Sequence, residues 1–378
     1  MLKIQEFIKA HDNWRDLLSA EPYNLKISED DGFVLFKYNQ IASDFSQEIC
    51  QEARGLILDS EDNFRVVRYA FKKFFNIDEG FAAHIDWDTA VASEKIDGSI
   101  MSVWYARGKW HLSTNGTIDA FKAELSGVGP YKTFGELFES VLPLSTFVGN
   151  RYENICWTFE LVSPYNKVVI DYPETKVYLL SIRFMNTLEE LDYDRISAYA
   201  AKLGVAYPQF YYMNDEAGFR RLVENMPEGH EGVVVRDQYN ERVKIKTLLY
   251  FEMHKAKNNG VITLERIVDL IRANDHYEFL SYFPEYTDTF NAVKHQVDRV
   301  DGVVAKIKQD VENWKLQNRD VLSQDIRMAR KWFVQDCVGK SKYAPLYFAA
   351  YDNRIKSMVI EMSSDKFIRM FGIELKEG

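Results

Sequence analysis

The sequence predicts an α+β protein in which a domain of antiparallel sheets with flanking helices precedes an all-helical domain. Short β-rich runs separated by turn residues fill most of residues 1–254, whereas apolar residues at three- and four-residue spacing dominate the remainder. A chain of 378 residues that is 46% hydrophobic is also long enough for two packed cores. We therefore expect one domain at 1–254 and a second at 255–378.

The predicted elements follow one another in a regular order. Two pairs of β-rich runs, 55–60 with 64–69 and 100–105 with 110–113, are each joined by polar turn residues and predict hairpins. Further strands are expected at 34–38, 157–162, 176–182, 232–236 and 242–246. Helical spacing predicts helices at 133–141, 194–203, 216–225, 264–273, 290–316, 321–337 and 354–371.

Composition excludes several classes of protein. No run of about 18 apolar residues could span a membrane, and the amino terminus turns acidic too early for a secretory signal. Three scattered cysteines do not make a disulfide framework, and no cysteine or histidine spacing indicates zinc. We therefore expect a cytoplasmic protein without a membrane partner.

The charge distribution differs between the two parts of the chain. The net charge of −10 does not suit a protein that coats nucleic acid nonspecifically, yet residues 255–378 hold 20 Lys and Arg against 18 Asp and Glu. That part includes a basic cluster interleaved with aromatic residues: Arg327, Arg330, Lys331, Lys340 and Lys342 with Trp332 and Phe333. Such a cluster could grip a phosphate backbone and stack bases. A helix with a solvated basic face is the alternative.

The most informative segment is residues 93–99, where Lys95 stands between a strand-like run and an Asp97-Gly98 turn. A hairpin there could present the lysine to a pocket, and a deprotonated lysine amine is a nucleophile. The alternative is an exposed hairpin turn, because Asp-Gly is a common turn dipeptide.

Other charged residues add to this segment. The two-residue period of a strand puts Lys244 and Lys246 on one face, and paired ammonium groups suit a phosphate oxyanion. Glu160 lies mid-strand among large apolar residues, so its carboxylate needs a ribose hydroxyl, a cation or a lysine as partner. Glu231 opens a later strand, and Arg54 and Lys73 add cations upstream. Each could form a surface ion pair, but the ordered set favours a site.

In this order the segments resemble motifs of the covalent nucleotidyltransferases, the polynucleotide ligases and mRNA capping enzymes. The matching segments are Lys95-x-Asp97-Gly98-Ser99, Glu160, Glu231-Gly232 and Lys244-Ile245-Lys246. The upstream blocks look like those of the phage RNA ligase 1 family of ATP-dependent tRNA-repair ligases: Tyr38-Asn39, Ala53-Arg54-Gly55 and Lys73-Phe74-Phe75-Asn76. Residues 163–169 also resemble the stretch that follows the Glu160 motif in that family. The similarity spans about residues 30–255, and the helical tail matches in kind and length.

The resemblance implies an amino-terminal nucleotidyltransferase domain, a carboxy-terminal RNA-recognition domain and a three-step reaction. Lys95 would attack the α-phosphorus of ATP, AMP would pass to an RNA 5′-phosphate, and a 3′-hydroxyl would then displace AMP. Lys244 and Lys246 would contact the α-phosphate, and Glu160 the ribose. Arg54 and Lys73 would face the outer phosphates. The other implied nucleotide contacts are Tyr38, Glu94, Gly98, Glu231 and Tyr250. The metal, Mg²⁺ or Mn²⁺ in its place, would lie at Glu231, with Asp275 as a second candidate.

Departures from the family pattern leave alternatives open. Ser113 and Asn115 stand where family members carry lysines, and Ile96 replaces an acidic residue. A DNA ligase or capping enzyme would continue into a β-rich OB-fold after Lys246, which the helical pattern disfavours. An RNA-binding protein with a decayed site and an unrelated protein with chance motifs are the other readings. The expected partner is RNA with single-stranded ends, such as a broken tRNA anticodon loop. We expect a monomer, in the host cytoplasm if the chain is phage-encoded.

Overall fold

The computed structural model describes the chain except residues 41, 126–128, 149–152, 167–169, 228, 248–261, 273–275, 277–278, 281–283, 340, 356–357, 360–361 and 376–378, and except the side chains of residues 323, 324 and 326. It divides into two units, Met1–Lys257 and Asn258–Gly378. The sequence predicts the division after residue 254, which lies outside the described residues. The nucleotide and RNA roles assigned to the two domains stay predictions.

The described strands of the first unit form three sheets. The strands are β1 (Lys26–Asp30), β2 (Phe33–Lys37), β3 (Arg54–Asp59), β4 (Arg65–Arg68), β5 (Phe75–Asn76), β6 (Val91–Glu94), β7 (Ser99–Ala106), β8 (Lys109–Thr114), β9 (Ile155–Val162), β10 (Lys176–Phe184), β11 (Phe210–Tyr212), β12 (Gly232–Arg236) and β13 (Arg242–Lys246). Their orders are β1-β2-β3-β4, β10-β9-β7-β8 and β11-β6-β12-β13-β5. Neighbours pair antiparallel, apart from the parallel pair of β13 with β5. The antiparallel α+β fold and both predicted hairpins, β3–β4 and β7–β8, are confirmed.

Helices flank these sheets. They are α1 (Lys3–Ala10), α2 (Trp14–Ser19), α3 (Glu48–Glu52), α4 (Phe134–Glu139), α5 (Tyr193–Leu203) and α6 (Glu216–Glu224). The three longer-range predictions, α4 to α6, are confirmed, and each begins after a side-chain cap: Thr133, Asp192 or Asp215. The sequence analysis missed α1 and α2. The start of α1 is held by Glu52, whose carboxylate accepts hydrogen bonds from the backbone of Lys3 and Ile4.

The helices cover the sheet faces with apolar side chains. Helix α6 buries Phe219 and Val223 against the five-stranded sheet, where Val243 and Ile245 of β13 join the same core. Helices α4 and α5 pack in the same way on β7, β9 and β10. Because successive strand residues point to opposite faces, burial of Val243 and Ile245 turns Lys244 and Lys246 away from α6.

The second unit consists of helices within its described residues: α7 (Leu264–Arg272), α8 (Thr287–Gln317), α9 (Arg319–Gln324), α10 (Ile326–Phe333), α11 (Ala344–Tyr351) and α12 (Ser364–Phe371). The helices predicted at 264–273 and 290–316 are confirmed. The predicted helix 321–337 is divided, because Asp325 leaves helical geometry and caps α10, and a π-helical turn follows at Val334–Val338. Helix α11 was missed because it is apolar on nearly every side and lacks helical periodicity. No described helix is both long and apolar enough to cross a membrane.

Helix α10 carries most of the predicted basic cluster. Arg327, Arg330 and Lys331 are exposed, and Trp332 is 39% exposed. Phe333 is fully buried and packs edge-on against Trp314 at 5.2 Å, so it is not available to stack on bases. Lys340 lies outside the described residues.

Candidate active site

A cavity of approximately 320 Å³ is lined by strands of both the β10-β9-β7-β8 sheet and the five-stranded sheet. Eight of the predicted site residues line it: Arg54, Glu94, Lys95, Gly98, Glu160, Glu231, Lys244 and Lys246. Residues scattered over nearly 200 positions of sequence therefore meet around one volume. The pattern of ordered motifs predicts a shared site, and these eight side chains share one.

The segment that carries Lys95 passes from one sheet to the other. Strand β6 ends at Glu94 in the five-stranded sheet, and β7 begins at Ser99 in the neighbouring sheet. The expectation of a hairpin here is therefore wrong, because β6 and β7 do not pair with each other and Asp97-Gly98 lies in a crossing between sheets. The crossing places Lys95 at the cavity wall.

Three contacts fix this crossing. The backbone N–H of Lys95 donates to the carbonyl of Gly232 at 2.8 Å. The buried carboxylate of Asp97 accepts from the backbone N–H of Ile170 at 2.7 Å. A Cβ at Gly98 would collide with the carbonyl of Leu161, so only glycine allows this close approach to β9. The backbone around Lys95 is thus held from three directions.

Glu231 brings two lysines together in the cavity. Its carboxylate lies 2.6 Å from Nζ of Lys95 and 3.8 Å from Nζ of Lys246. The side chain of Glu231 is 4% exposed and that of Lys95 is 23% exposed, so solvent reaches the lysine but hardly the acid. Because an amine attacks through its lone pair, this Lys95–Glu231 ion pair has to open before Lys95 can act as a nucleophile.

Glu160 of β9 is a buried carboxyl group in the same cavity. Burial raises its pKa to about 8; the charge of Lys95 opposes this rise and the charge of Glu231 adds to it. The group therefore holds its proton at neutral pH in this state. A protonated carboxyl both donates and accepts hydrogen bonds, which suits a ribose hydroxyl.

A pH-dependent stability follows from this raised pKa. Between the ordinary glutamate pKa of 4.5 and about 8, the unfolded chain ionises Glu160 while the folded chain keeps it protonated, so stability falls as pH rises. We expect Glu160→Gln to remove that fall. The gap in unfolding free energy between variant and wild type, measured by urea denaturation without nucleotide, should widen in favour of the variant from pH 5 to pH 8. A gap that stays constant over this range would contradict the raised pKa.

Arg54 offers an unused hydrogen-bond donor. Its Nη1 is buried and has no partner among the described residues, and its guanidinium lies 4.7 Å from the ring centre of Phe74. A buried donor without an acceptor is costly, so an acceptor from a ligand would stabilise it. This agrees with the predicted role of Arg54 toward phosphate oxygens.

Two predicted nucleotide contacts lie elsewhere. Tyr38 and Lys73 are not among the residues that line the cavity. The ammonium of Lys73 is 4.7–4.9 Å from the ring centres of Tyr38, Phe45 and Phe75, and 3.5 Å from Oε1 of Gln40. Tyr250 and Asp275 lie outside the described residues, and so do residues 167–169 of the family-like stretch.

The structure also brings in residues that the sequence analysis did not assign to the site. Arg242 lines the cavity, and the two-residue period that selected Lys244 and Lys246 could have found it. Phe71, Phe74 and Tyr193 supply aromatic walls. No local pattern marks Tyr193, which is brought there by the start of α5.

Arg242 belongs to a buried charge cluster beside the cavity. The side chain of Glu190 is fully buried and pairs with Arg183, Arg236 and Arg242. Although burial alone would raise the pKa of Glu190, the three arginines hold it down at about 2. The carboxylate is therefore charged at any pH at which the protein is used, and it fixes the position of Arg242.

The donor set for a metal ion is limited. No group of three or more His, Cys, Asp or Glu that could hold a metal occurs in the described part of the chain. Glu231 and Glu160 nevertheless line one cavity. Mg²⁺ commonly takes one or two protein carboxylates and completes its shell with water and substrate phosphates. The residues present fit a metal that arrives with a phosphate ligand.

A lysine held among further lysines and carboxylates is the site expected of a covalent nucleotidyltransferase. A family model described as RNA ligase matches residues 52–260, which is more than half of the chain. The chain belongs to this RNA ligase family.

Relatives and solved structures agree with that placement. The chain is 28% identical over 307 residues to a bifunctional polynucleotide kinase/RNA ligase of Autographa californica nuclear polyhedrosis virus, covering 75% of this chain and 42% of that protein. It is 24% identical over 356 residues to an RNA ligase of Rhodothermus phage RM378, covering 74% and 78%. An ATP-dependent DNA ligase from Aquifex aeolicus aligns at 14% identity with a TM-score of 0.47, covering 79% and 80%. The chain thus spans less than half the length of the baculovirus relative.

Proposed function

We propose that this chain is an ATP-dependent RNA ligase that joins a 5′-phosphate to a 3′-hydroxyl through a lysyl-AMP intermediate on Lys95. The observation that carries the proposal is the meeting of Lys95, Lys244, Lys246, Glu160 and Glu231 around one cavity. Membership of the RNA ligase family supports RNA as the acceptor.

In the first step, the Lys95 amine attacks the α-phosphorus of ATP. A nitrogen–phosphorus bond forms, the bond from the α-phosphorus to the bridging oxygen breaks, and pyrophosphate leaves with the electron pair. Lys244 and Lys246 present two ammonium groups to the same cavity and would stabilise the charge that develops on the α-phosphate oxygens. Protonated Glu160 would hold the ribose.

In the later steps, an RNA 5′-phosphate oxygen attacks the same phosphorus and releases Lys95, giving a 5′–5′ pyrophosphate linkage. A 3′-hydroxyl oxygen then attacks the RNA phosphorus and AMP leaves, which seals the strand. Every step is a phosphoryl transfer, so the protein chiefly positions groups and stabilises charge. When Mg²⁺ or Mn²⁺ is bound, at Glu231, it would neutralise phosphate charge.

The finer features of the substrate belong to the same proposal. The exposed basic residues of α10 with Trp332 support contact with RNA by the second unit, and a broken tRNA anticodon loop is the proposed natural end. The viral and phage sources of the relatives support action in the cytoplasm of an infected cell. Tyr38, Lys73, Tyr250 and Asp275 stay predicted contacts.

Label transfer tests the proposal. The chain is incubated with α-labelled ATP and Mg²⁺, with no acceptor, with a 5′-phosphorylated single-stranded RNA, or with the matching DNA. We expect label on the protein that moves to RNA, followed by circular or joined RNA, and no labelling when Mg²⁺ is chelated. Sealing of DNA alone would favour the DNA ligase alternative. Absence of protein label under all conditions would leave the RNA-binding reading with a decayed site.

A further inference from the structure

Arg68, at the end of β4, is a buried arginine without an acid partner. It is 0% exposed and donates to Oγ of Ser102 at 3.0 Å, to Oδ1 of Asn115 at 2.7 Å and to the carbonyls of Arg54 and Gly55. It forms no ion pair with a carboxylate in the described part of the chain. Burial lowers its pKa to about 10, so the guanidinium remains charged at neutral pH.

This charge lies next to a second one. Arg54 is close enough that its charge contributes to the lowered pKa of Arg68, and Nη1 of Arg54 is itself buried without a partner. Burying a charge is costly unless an opposite charge or hydrogen bonds compensate for it. Two guanidinium groups at one end of the cavity, facing only neutral acceptors on the Arg68 side, favour an anion there.

Arg68 also fixes the direction of the Asn115 amide. A guanidinium only donates hydrogen bonds, so the amide atom that faces Arg68 must be the oxygen Oδ1. The amide nitrogen Nδ2 then points away from Arg68, and Asn115 lines the cavity. Gly55 permits this arrangement, because at φ +74° it has no Cβ that would collide with Nη1 of Arg68.

We propose that Nη1 of Arg54 and Nδ2 of Asn115 form a subsite for the pyrophosphate portion of ATP, and that Arg68 is the positioning residue that orients Asn115. The inference rests on the proposed function and deepens it. A neutral amide backed by a buried guanidinium takes the place of the lysine expected at position 115. Positive charge is thus supplied from beneath the cavity wall rather than by a side chain within it.

The test measures pyrophosphate and ATP binding to the full chain by isothermal titration calorimetry, beside unfolding in urea. Asn115→Ala removes the donor, and Asn115→Asp keeps an acceptor for Arg68 but removes the donor. Because a hydrogen bond to a charged group is worth about 1.5–3 kcal/mol, we expect Asn115→Ala to weaken pyrophosphate binding roughly tenfold or more. Asn115→Asp should weaken binding at least as much while keeping or raising stability, since its carboxylate pairs with Arg68.

Controls separate the donor from simple charge. Gly116→Asp places a carboxylate at the next, exposed position of the same loop and should change binding far less than Asn115→Asp. Weak binding by Asn115→Asp with unchanged binding by Asn115→Ala would overturn the proposed donor. Unchanged binding by both would overturn the subsite.

A double-variant comparison tests the role of Arg68. If Arg68→Lys acts through Asn115, Arg68→Lys combined with Asn115→Ala should bind pyrophosphate no more weakly than the worse single variant. Additive losses would contradict a positioning role. Wild-type chain that forms lysyl-AMP while the Asn115 variants bind normally would reject the subsite alone, whereas wild-type chain that neither binds ATP nor becomes labelled would reject the proposed function.

Discussion

Replacing Lys95 by alanine is expected to abolish transfer of AMP from ATP to the protein, while RNA that already carries a 5′-adenylyl group is still sealed. The first step needs the Lys95 amine as the attacking atom, and Lys244 and Lys246 cannot substitute for it because strand β13 and the core beneath it fix their positions. The sealing step uses the RNA 3′-hydroxyl as nucleophile, so it does not consume the Lys95 amine. Labelled ATP and pre-adenylylated RNA measure the two steps separately.

The matched control for this prediction is Lys109→Ala. Lys109 begins β8, its side chain is 61% exposed, and its nearest acid is Asp31 at 3.7 Å. This variant should become labelled like wild type. Persistent labelling of Lys95→Ala would contradict the assignment of the nucleophile. Loss of both steps would show instead that the Lys95–Glu231 pair is needed for the fold of the site, which circular dichroism and urea unfolding of the variant would reveal.

Replacing Glu190 by glutamine is expected to destabilise the first unit by about 3–5 kcal/mol, because it leaves three arginines around a buried neutral amide. Glu190 has a depressed pKa, so its contribution is present above the ordinary glutamate pKa of 4.5 and is lost as pH falls toward 2. The stability difference between wild type and variant should therefore shrink in acid. Urea unfolding from pH 7 downward measures both effects.

Glu189→Gln is the matched control, since Glu189 is the exposed neighbour of Glu190. It removes the same charge from the same segment, and surface substitutions of this kind usually change stability by less than about 0.5 kcal/mol. Equal losses from the two substitutions would show that net charge, rather than the buried cluster, sets the effect. A loss below about 1 kcal/mol for Glu190→Gln would contradict the account of the cluster.

The parts of the fold that depend on local periodicity were predictable. Strand β13 was found because Val243 and Ile245 alternate with Lys244 and Lys246, and the same alternation placed both lysines in the cavity. Helix α6 was found because apolar residues recur at helical spacing. Helices α1 and α2 escaped prediction, since the contact from Glu52 that holds the start of α1 crosses about 50 residues of sequence.

The candidate site shows the same division. Its motif residues are recognisable in the sequence because the chemistry requires particular side chains. The crossing at Lys95 was mistaken for a hairpin, because the turn dipeptide Asp97-Gly98 is equally suited to either geometry. Arg68 and Glu190 were invisible to sequence patterns, because their roles arise only where β3, β4 and β8, or β10 and β13, come together.

Peptide mapping of the nucleotide adduct tests the central claim most directly. Wild-type chain is incubated with ATP and Mg²⁺, digested, and analysed by tandem mass spectrometry under conditions that preserve a phosphoramidate bond. The account predicts AMP on Lys95 and on no other lysine, with the adduct lost when 5′-phosphorylated RNA is added. AMP on Lys244, Lys246 or any other lysine, or no adduct at all, would contradict it.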